Sequence, residues 1–116
     1  MKYAKAKIDE KGRITIPAKF REKLSGEFYI SYGFDRCLYV FSLSELEKHF
    51  EKLSAIPIEE AREYLEFFRR SICRSELDKH GRALIVPDLQ SYAGFSENVI
   101  IAVGKHCLEI WDAESI

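Results

Sequence analysis

Nowhere does this chain hold the roughly 18 consecutive apolar residues that a membrane span needs, and its charged start, Met1-Lys2-Tyr3-Ala4-Lys5, leads into no signal-peptide core. The expected address is the cytoplasm, with no membrane partner. Cysteine is scarce: Cys37, Cys73 and Cys107 have no C-x-x-C spacing, and an odd number cannot all pair within one chain. Cys37 and Cys107 hold equivalent strand positions and read as small buried apolar residues, not as a disulfide framework. His49, His80 and His106 are scattered and read as surface residues, so neither a metal nor another cofactor is expected. Nucleophile elbow, phosphate loop and metal-ligand spacing are all missing, which argues against an enzyme. Charge of one sign is missing too. With 18 Lys and Arg against 19 Asp and Glu, the net charge of −1 excludes a generally basic nucleic-acid coat. Any affinity for DNA must come from clustered charge.

What the chain does have is a repeat. Ile8-Asp9-Glu10-Lys11-Gly12-Arg13-Ile14-Thr15-Ile16-Pro17 returns as Leu77-Asp78-Lys79-His80-Gly81-Arg82-Ala83-Leu84-Ile85-Val86-Pro87. Phe20 and Leu24 correspond to Leu89 and Ala93, each pair followed by a glycine, Gly26 or Gly94. Two apolar runs follow in each copy: residues 27–33 against 98–104, then Cys37–Phe41 against Cys107–Trp111. The offset is 69 residues at the aspartates, 71 at the glycines and 70 at the cysteines, so only small loop indels separate the copies. Half of a 116-residue chain would bury too little surface to stand alone, so the halves are expected to share a core.

Local pattern then assigns the elements. Apolar and basic residues alternate over Ala4–Ile8, as in a strand with one wet face, and Ile14 and Ile16 oppose Arg13 and Thr15. These two strands are expected to form a hairpin with Glu10-Lys11-Gly12 at its tip, where glycine accepts a positive φ. Pro17 suits the first turn of a short helix carrying Phe20 and Leu24, stopped by Ser25-Gly26. Because Pro87 sits one place later relative to its arginine, the second short helix is expected to start one residue later. Ser42 or Ser44 can open a capping box ahead of Leu46, Phe50 and Leu53. Pro57 opens a further helix with Ala61, Tyr64, Leu65, Phe68 and Ile72 on its apolar face. After Trp111 only Asp112–Ile116 remain where the first copy has a full helix, so the second half reads as truncated, with Asp112 as a cap. The expected division is a first repeat over 1–53, a linking helix over 54–74 and a second repeat over 75–116.

The motif Asp9-Glu-Lys11-Gly12-Arg13-Ile-Thr-Ile-Pro17-Ala-Lys-Phe20-Arg21, together with its second copy and Cys107-Leu-Glu-Ile-Trp111, resembles the MraZ transcriptional regulators over almost the whole chain. A single Asp-x-x-Gly-Arg hairpin would also resemble the wider AbrB-like swapped-hairpin group. The resemblance implies an α+β fold in which tandem AbrB-like hairpins interlock into one pseudo-twofold, β-barrel-like core with flanking helices. It further implies a ring-shaped homo-oligomer, nucleoid-associated, that binds direct repeats of double-stranded DNA in the promoter of the division and cell-wall gene cluster, usually as a repressor.

Residue chemistry bears on this separately. Lys5, Lys7, Lys11 and Arg13 cluster near the first tip, diluted by Asp9 and Glu10. Arginine can grip phosphate, or guanine O6 and N7, with two parallel hydrogen bonds, so Arg13 and Arg82 are the leading DNA contacts. Lys11 and Lys79 suit phosphate, and Gly12 and Gly81 would permit close approach. Alternatively, Asp9–Arg13 and Asp78–Arg82 are ion pairs that merely tie each turn, and exposed pairs of that kind contribute little. Both roles can hold at once, with the aspartate orienting the arginine. The first copy is the more basic, which favours Arg13 over Arg82. The rival to a DNA-binding role is a protein-interaction or scaffold ring whose turns serve assembly.

Overall fold

The computed structural model describes residues 3–115, and both copies fold in the same element order. The first copy comprises β1 (Tyr3–Lys7), β2 (Arg13–Thr15), α1 (Ala18–Arg21), β3 (Glu27–Tyr32), β4 (Leu38–Ser42) and α2 (Leu43–Ser54). After α3 (Ile58–Arg69), the second has β5 (Cys73–Glu76), β6 (Arg82–Leu84), α4 (Pro87–Ala93), β7 (Asn98–Val103) and β8 (Leu108–Asp112). The class is α+β, with every strand ladder antiparallel.

Local chemistry accounts for the helix boundaries. At α2 the capping box is built on Ser42: Glu45 N donates to Ser42 Oγ at 3.2 Å and Ser42 N donates to Glu45 Oε1 at 2.9 Å. Two otherwise orphaned amides are satisfied, a stabilisation of about 1 kcal/mol. Leu46 and Leu53 bury their side chains, while Phe50 on the same stripe stays 39% exposed. The expected offset between the two short helices is not found. Pro17 and Val86 are both extended N-cap residues, with ψ of 146° and 153°, and α1 and α4 start at equivalent positions. Proline's fixed φ suits the extended N-cap as well as the first helical residue, so Pro17 lies outside α1 and Pro87 opens α4 without shifting the start.

Strand pairing corrects the simple hairpin. Tyr3–Lys7 does not ladder with Arg13–Thr15: a bridge between Ile8 and Ile14 and the bond from Asp9 N to Arg13 O at 2.9 Å are what joins them. Instead β1 pairs with β7, and β2 pairs with β6 of the other copy in the register Arg13↔Leu84, Ile14↔Ala83, Thr15↔Arg82. Three residues bury too little to hold a strand in place alone. Exchanging β2 and β6 sets Ile14, Ile16, Ala83 and Ile85, all at most 1% exposed, into one core. The other strands form a six-stranded sheet in the order β1-β7-β8-β4-β3-β5. Its edges, β1 and β5, do not pair with each other among the described residues, so the sheet is open and no closed barrel forms.

The principal core draws on both copies, with Phe20, Phe28 and Leu38 from the first packed with Leu89, Val99 and Leu108 from the second. A smaller cluster under α2 holds Phe41, Leu46 and Cys107. Cys37 and Cys107 are buried as expected, and burial pushes both thiols up to about 12. His80 and His106 are exposed, but His49 is half-buried. It lies on the buried stripe of α2 between Leu46 and Leu53, its ring edge-on to Phe68 at 4.8 Å, and desolvation holds its pKa below the usual histidine value. Asp112 does cap, its Oδ2 accepting from Glu114 N at 3.3 Å ahead of the 3-10 turn Ala113–Ser115. Its Oδ1 also accepts from the amide and hydroxyl of Ser96.

Candidate nucleic-acid interface

Each Asp-x-x-Gly-Arg segment is a turn organised by its aspartate. Asp9 Oδ1 accepts from the amides of Lys11 at 2.9 Å and Arg13 at 2.8 Å, while Oδ2 accepts from Arg13 Nε at 3.0 Å. The second copy repeats the set, Asp78 Oδ1 accepting from His80 N and Arg82 N at 2.9 Å and Oδ2 from Arg82 Nε at 2.8 Å. Gly12 N and Gly81 N donate to the carbonyls of Asp9 and Asp78, closing turns in which the glycines have φ of +80° and +75°. That left-handed conformation is open to glycine without a steric cost. Hydrogen bonds to the ionised form hold both carboxyls below the usual aspartate range, led in each case by the arginine amide. Asp78 falls to about 2.

The turns are clamped to each other through the exchanged strands. Ile85 N donates to Gly12 O at 2.7 Å, and Ile16 N donates to Gly81 O at 2.9 Å. Two equivalent side chains lie against the glycines of the opposite copy: Gln90 Nε2 donates to Ile85 O at 2.7 Å over Gly12, and Arg21 Nε donates to Ile16 O at 2.7 Å over Gly81. A β-carbon added to Gly12 would come within 2.7 Å of Gln90 Nε2 and 3.0 Å of Ile85 O. The glycines therefore admit a close neighbour within the protein itself.

The arrangement brings the two arginines onto one face. In β2 and β6 the middle residues, Ile14 and Ala83, are buried, so Arg13, Thr15, Arg82 and Leu84 share the outer face of a two-stranded ribbon. The arginines occupy diagonal positions there, with Arg13 opposite Leu84 and Arg82 opposite Thr15. Such neighbours stand roughly 7 to 8 Å apart. Among the described residues only Nε of each arginine is engaged, which leaves the terminal amino groups available. Their side chains are 28% and 27% exposed. Lys11 and Lys79 are exposed at the tips. Lys5 and Lys7 stand on the outer face of β1, beside β7 rather than in the ribbon, and Lys7 reaches Glu97 at 3.9 Å in an exposed pair that salt would screen.

A family model described as "MraZ protein, putative antitoxin-like" matches residues 3–66 and 73–115, covering most of both copies. The chain belongs to the MraZ family. Its relatives include proteins named "Transcriptional regulator MraZ" from Caldicellulosiruptor saccharolyticus, 41% identical over 110 residues (93% of this chain, 77% of the relative), and from Leifsonia xyli, 40% identical over 111 residues (94% and 78%). A third, from Caldicellulosiruptor bescii, is 43% identical over 106 residues (90% and 74%).

Sequence reading missed the clamps. Arg21 lay inside the family motif, but its contact with the second turn needs the strand exchange, which spacing within one copy does not reveal. The matching offset of Gln90 from Ile85 was the available signal. Thr15 was placed on the face of Arg13 but not as a neighbour of Arg82, and Leu84 was missed, although its parity with Arg82 puts it on the same face.

Proposed function

We propose that this chain is a sequence-specific DNA-binding transcriptional regulator. In this reading it represses the promoter of the division and cell-wall gene cluster by binding direct repeats as a homo-oligomeric ring in the nucleoid. The observation that carries the reading is the outer face of the β2–β6 ribbon, with two aspartate-oriented arginines whose terminal amino groups meet no protein acceptor among the described residues. A two-stranded ribbon fits the major groove, and a guanidinium held at Nε still offers two donors to guanine O6 and N7 or to phosphate. Arg13 and Arg82 then contact bases or phosphates, Lys11 and Lys79 contact phosphates, and Lys5 and Lys7 add steering charge. Arg21, lying over Gly81, adds a cation beside the second turn that the first turn lacks, since Gln90 takes the equivalent place. That narrows the difference in charge between the tips.

The names of the relatives support transcription regulation, which is not an enzymatic role. We read the exchange of β2 and β6 as the interlock of an AbrB-like swapped hairpin, with residues 1–53 and 75–116 as its two repeats and 54–74 as the link. One subunit offers few cations, and each neutralised phosphate contributes one counterion-release term, so tight binding needs several subunits on repeated sites. A titration of the protein against its own upstream DNA over a salt series, with mass measured free and bound, tests the reading. It expects protection that depends on sequence and weakens steeply with salt, in an oligomer. A scaffold ring would give no such protection.

A further inference from the structure

The outer face of the ribbon carries one feature that phosphate binding does not require. Leu84 is 52% exposed at the register position opposite Arg13, on a strand whose inner residue Ala83 is 1% exposed. The pseudo-equivalent position in the first copy holds Thr15, opposite Arg82. An apolar side chain flanked by a guanidinium is poorly placed for phosphate and well placed for the one apolar group that the major groove displays, the C5-methyl of thymine. Threonine can meet the same methyl with its own, or donate and accept a hydrogen bond, and so discriminates less.

We propose that Leu84 is a specificity-determining residue that reads a thymine methyl beside the base contacted by Arg13, while Thr15 makes the second half of the face more tolerant. This rests on the DNA-binding reading above. Arginine and leucine directly opposite on paired strands have β-carbons about 4.5 to 5.5 Å apart, close enough to address neighbouring base pairs. The two turns are thus unequal readers through the residue two places after each arginine, Thr15 in one copy and Leu84 in the other.

The test compares binding of the full chain to its upstream DNA with binding to the same fragment in which deoxyuridine replaces thymidine, which removes only the C5-methyl groups. The wild-type protein should bind the deoxyuridine fragment roughly fourfold or more weakly, the worth of about one buried methyl group. Leu84→Ala should weaken binding to the thymidine fragment by a similar factor and lose most of the discrimination, while Thr15→Ala keeps it. Equal affinity of the wild type for both fragments, or discrimination that survives in Leu84→Ala, would overturn the proposal. So would a change in subunit number in Leu84→Ala, which would make Leu84 an assembly contact. Because Leu84 is half exposed, an unaltered thermal transition is expected and is checked alongside. Absence of salt-sensitive binding to either fragment would instead overturn the DNA-binding reading itself.

Discussion

Replacing Gly12 with alanine tests whether the exchanged strands hold the turns in place. Two costs follow from the geometry. A non-glycine residue at φ of +80° costs about 1 kcal/mol, and that term also applies at Gly26, where φ is +77°. At Gly26, however, a new β-carbon meets nothing within 4 Å, whereas at Gly12 it lies 2.7 Å from Gln90 Nε2 and 3.0 Å from Ile85 O. The amide of Gln90 can swing away, but only by giving up its bond to Ile85 O, and an under-satisfied acceptor beside the core costs about 1 to 3 kcal/mol. Gly12→Ala should therefore lose about 2 to 4 kcal/mol and Gly26→Ala about 1. For a domain of this size each kcal/mol lowers Tm by about 4 °C, so thermal unfolding followed by circular dichroism should separate the two variants by roughly 4 to 12 °C. Gly94→Ala, at φ of +65° with nothing within 4 Å of the new β-carbon, serves as a second control and should behave like Gly26→Ala. If Gly12→Ala is no less stable than the two controls, the contact of Gln90 and Ile85 with the turn is not what fixes it, and the interlocking of the copies contributes nothing there.

Removing the guanidinium in Arg13→Ala should weaken operator binding by about tenfold or more, as loss of a bidentate base contact does, while the circular-dichroism spectrum and thermal transition stay near wild type. Unchanged affinity at physiological salt would remove Arg13 from the interface. The turn around Asp78 should keep its amide bonds far into acid. Its folded pKa of about 2 lies below the ordinary 3.8, so its stabilising effect is complete above 3.8 and is lost as pH falls through about 2. NMR shifts of the His80 and Arg82 amides should titrate near the lower value, and a midpoint at 3.8 would mean that those bonds do not favour the carboxylate. Thiol labelling at neutral pH should reach Cys73 quickly and Cys37 and Cys107 only on unfolding, because burial holds the latter two thiols near 12. Rapid labelling of all three would contradict the packed cluster under α2.

The repeat, the element order and the capping box were legible because each is local: a turn needs glycine at a fixed place, a helix needs its cap, and a half-buried strand alternates. Strand partnership was not. Ile14 and Ile16 announce a buried face, but nothing within residues 4–16 says that the partner is β6 rather than β1, since both present apolar neighbours. His49 was misread for a similar reason. A lone histidine among Glu47, Lys48 and Phe50 looks solvated until α2 is rotated onto Phe41 and Phe68, which sit on β4 and α3. Conversely, Phe50 has the spacing of a core residue and remains 39% exposed, because the buried arc of α2 is narrower than its apolar stripe.

Strand exchange also changes what the repeat means for recognition. Had each hairpin closed on itself, Arg13 and Arg82 would be carried by separate units, free to vary in spacing. With β2 laddered to β6, the register Arg13↔Leu84 and Thr15↔Arg82 sets the two arginines as diagonal neighbours on one ribbon. The bonds from Ile85 N to Gly12 O and from Ile16 N to Gly81 O tie each turn to the strand leaving the other. The two tips are thus joined by two hydrogen bonds and a shared core. The arginines should act as one reading element: Arg13→Ala combined with Arg82→Ala should depart from additivity in operator affinity, as close coupled sites do. Strict additivity in that double-mutant cycle would mean that the two turns meet the DNA independently despite the ladder that joins them.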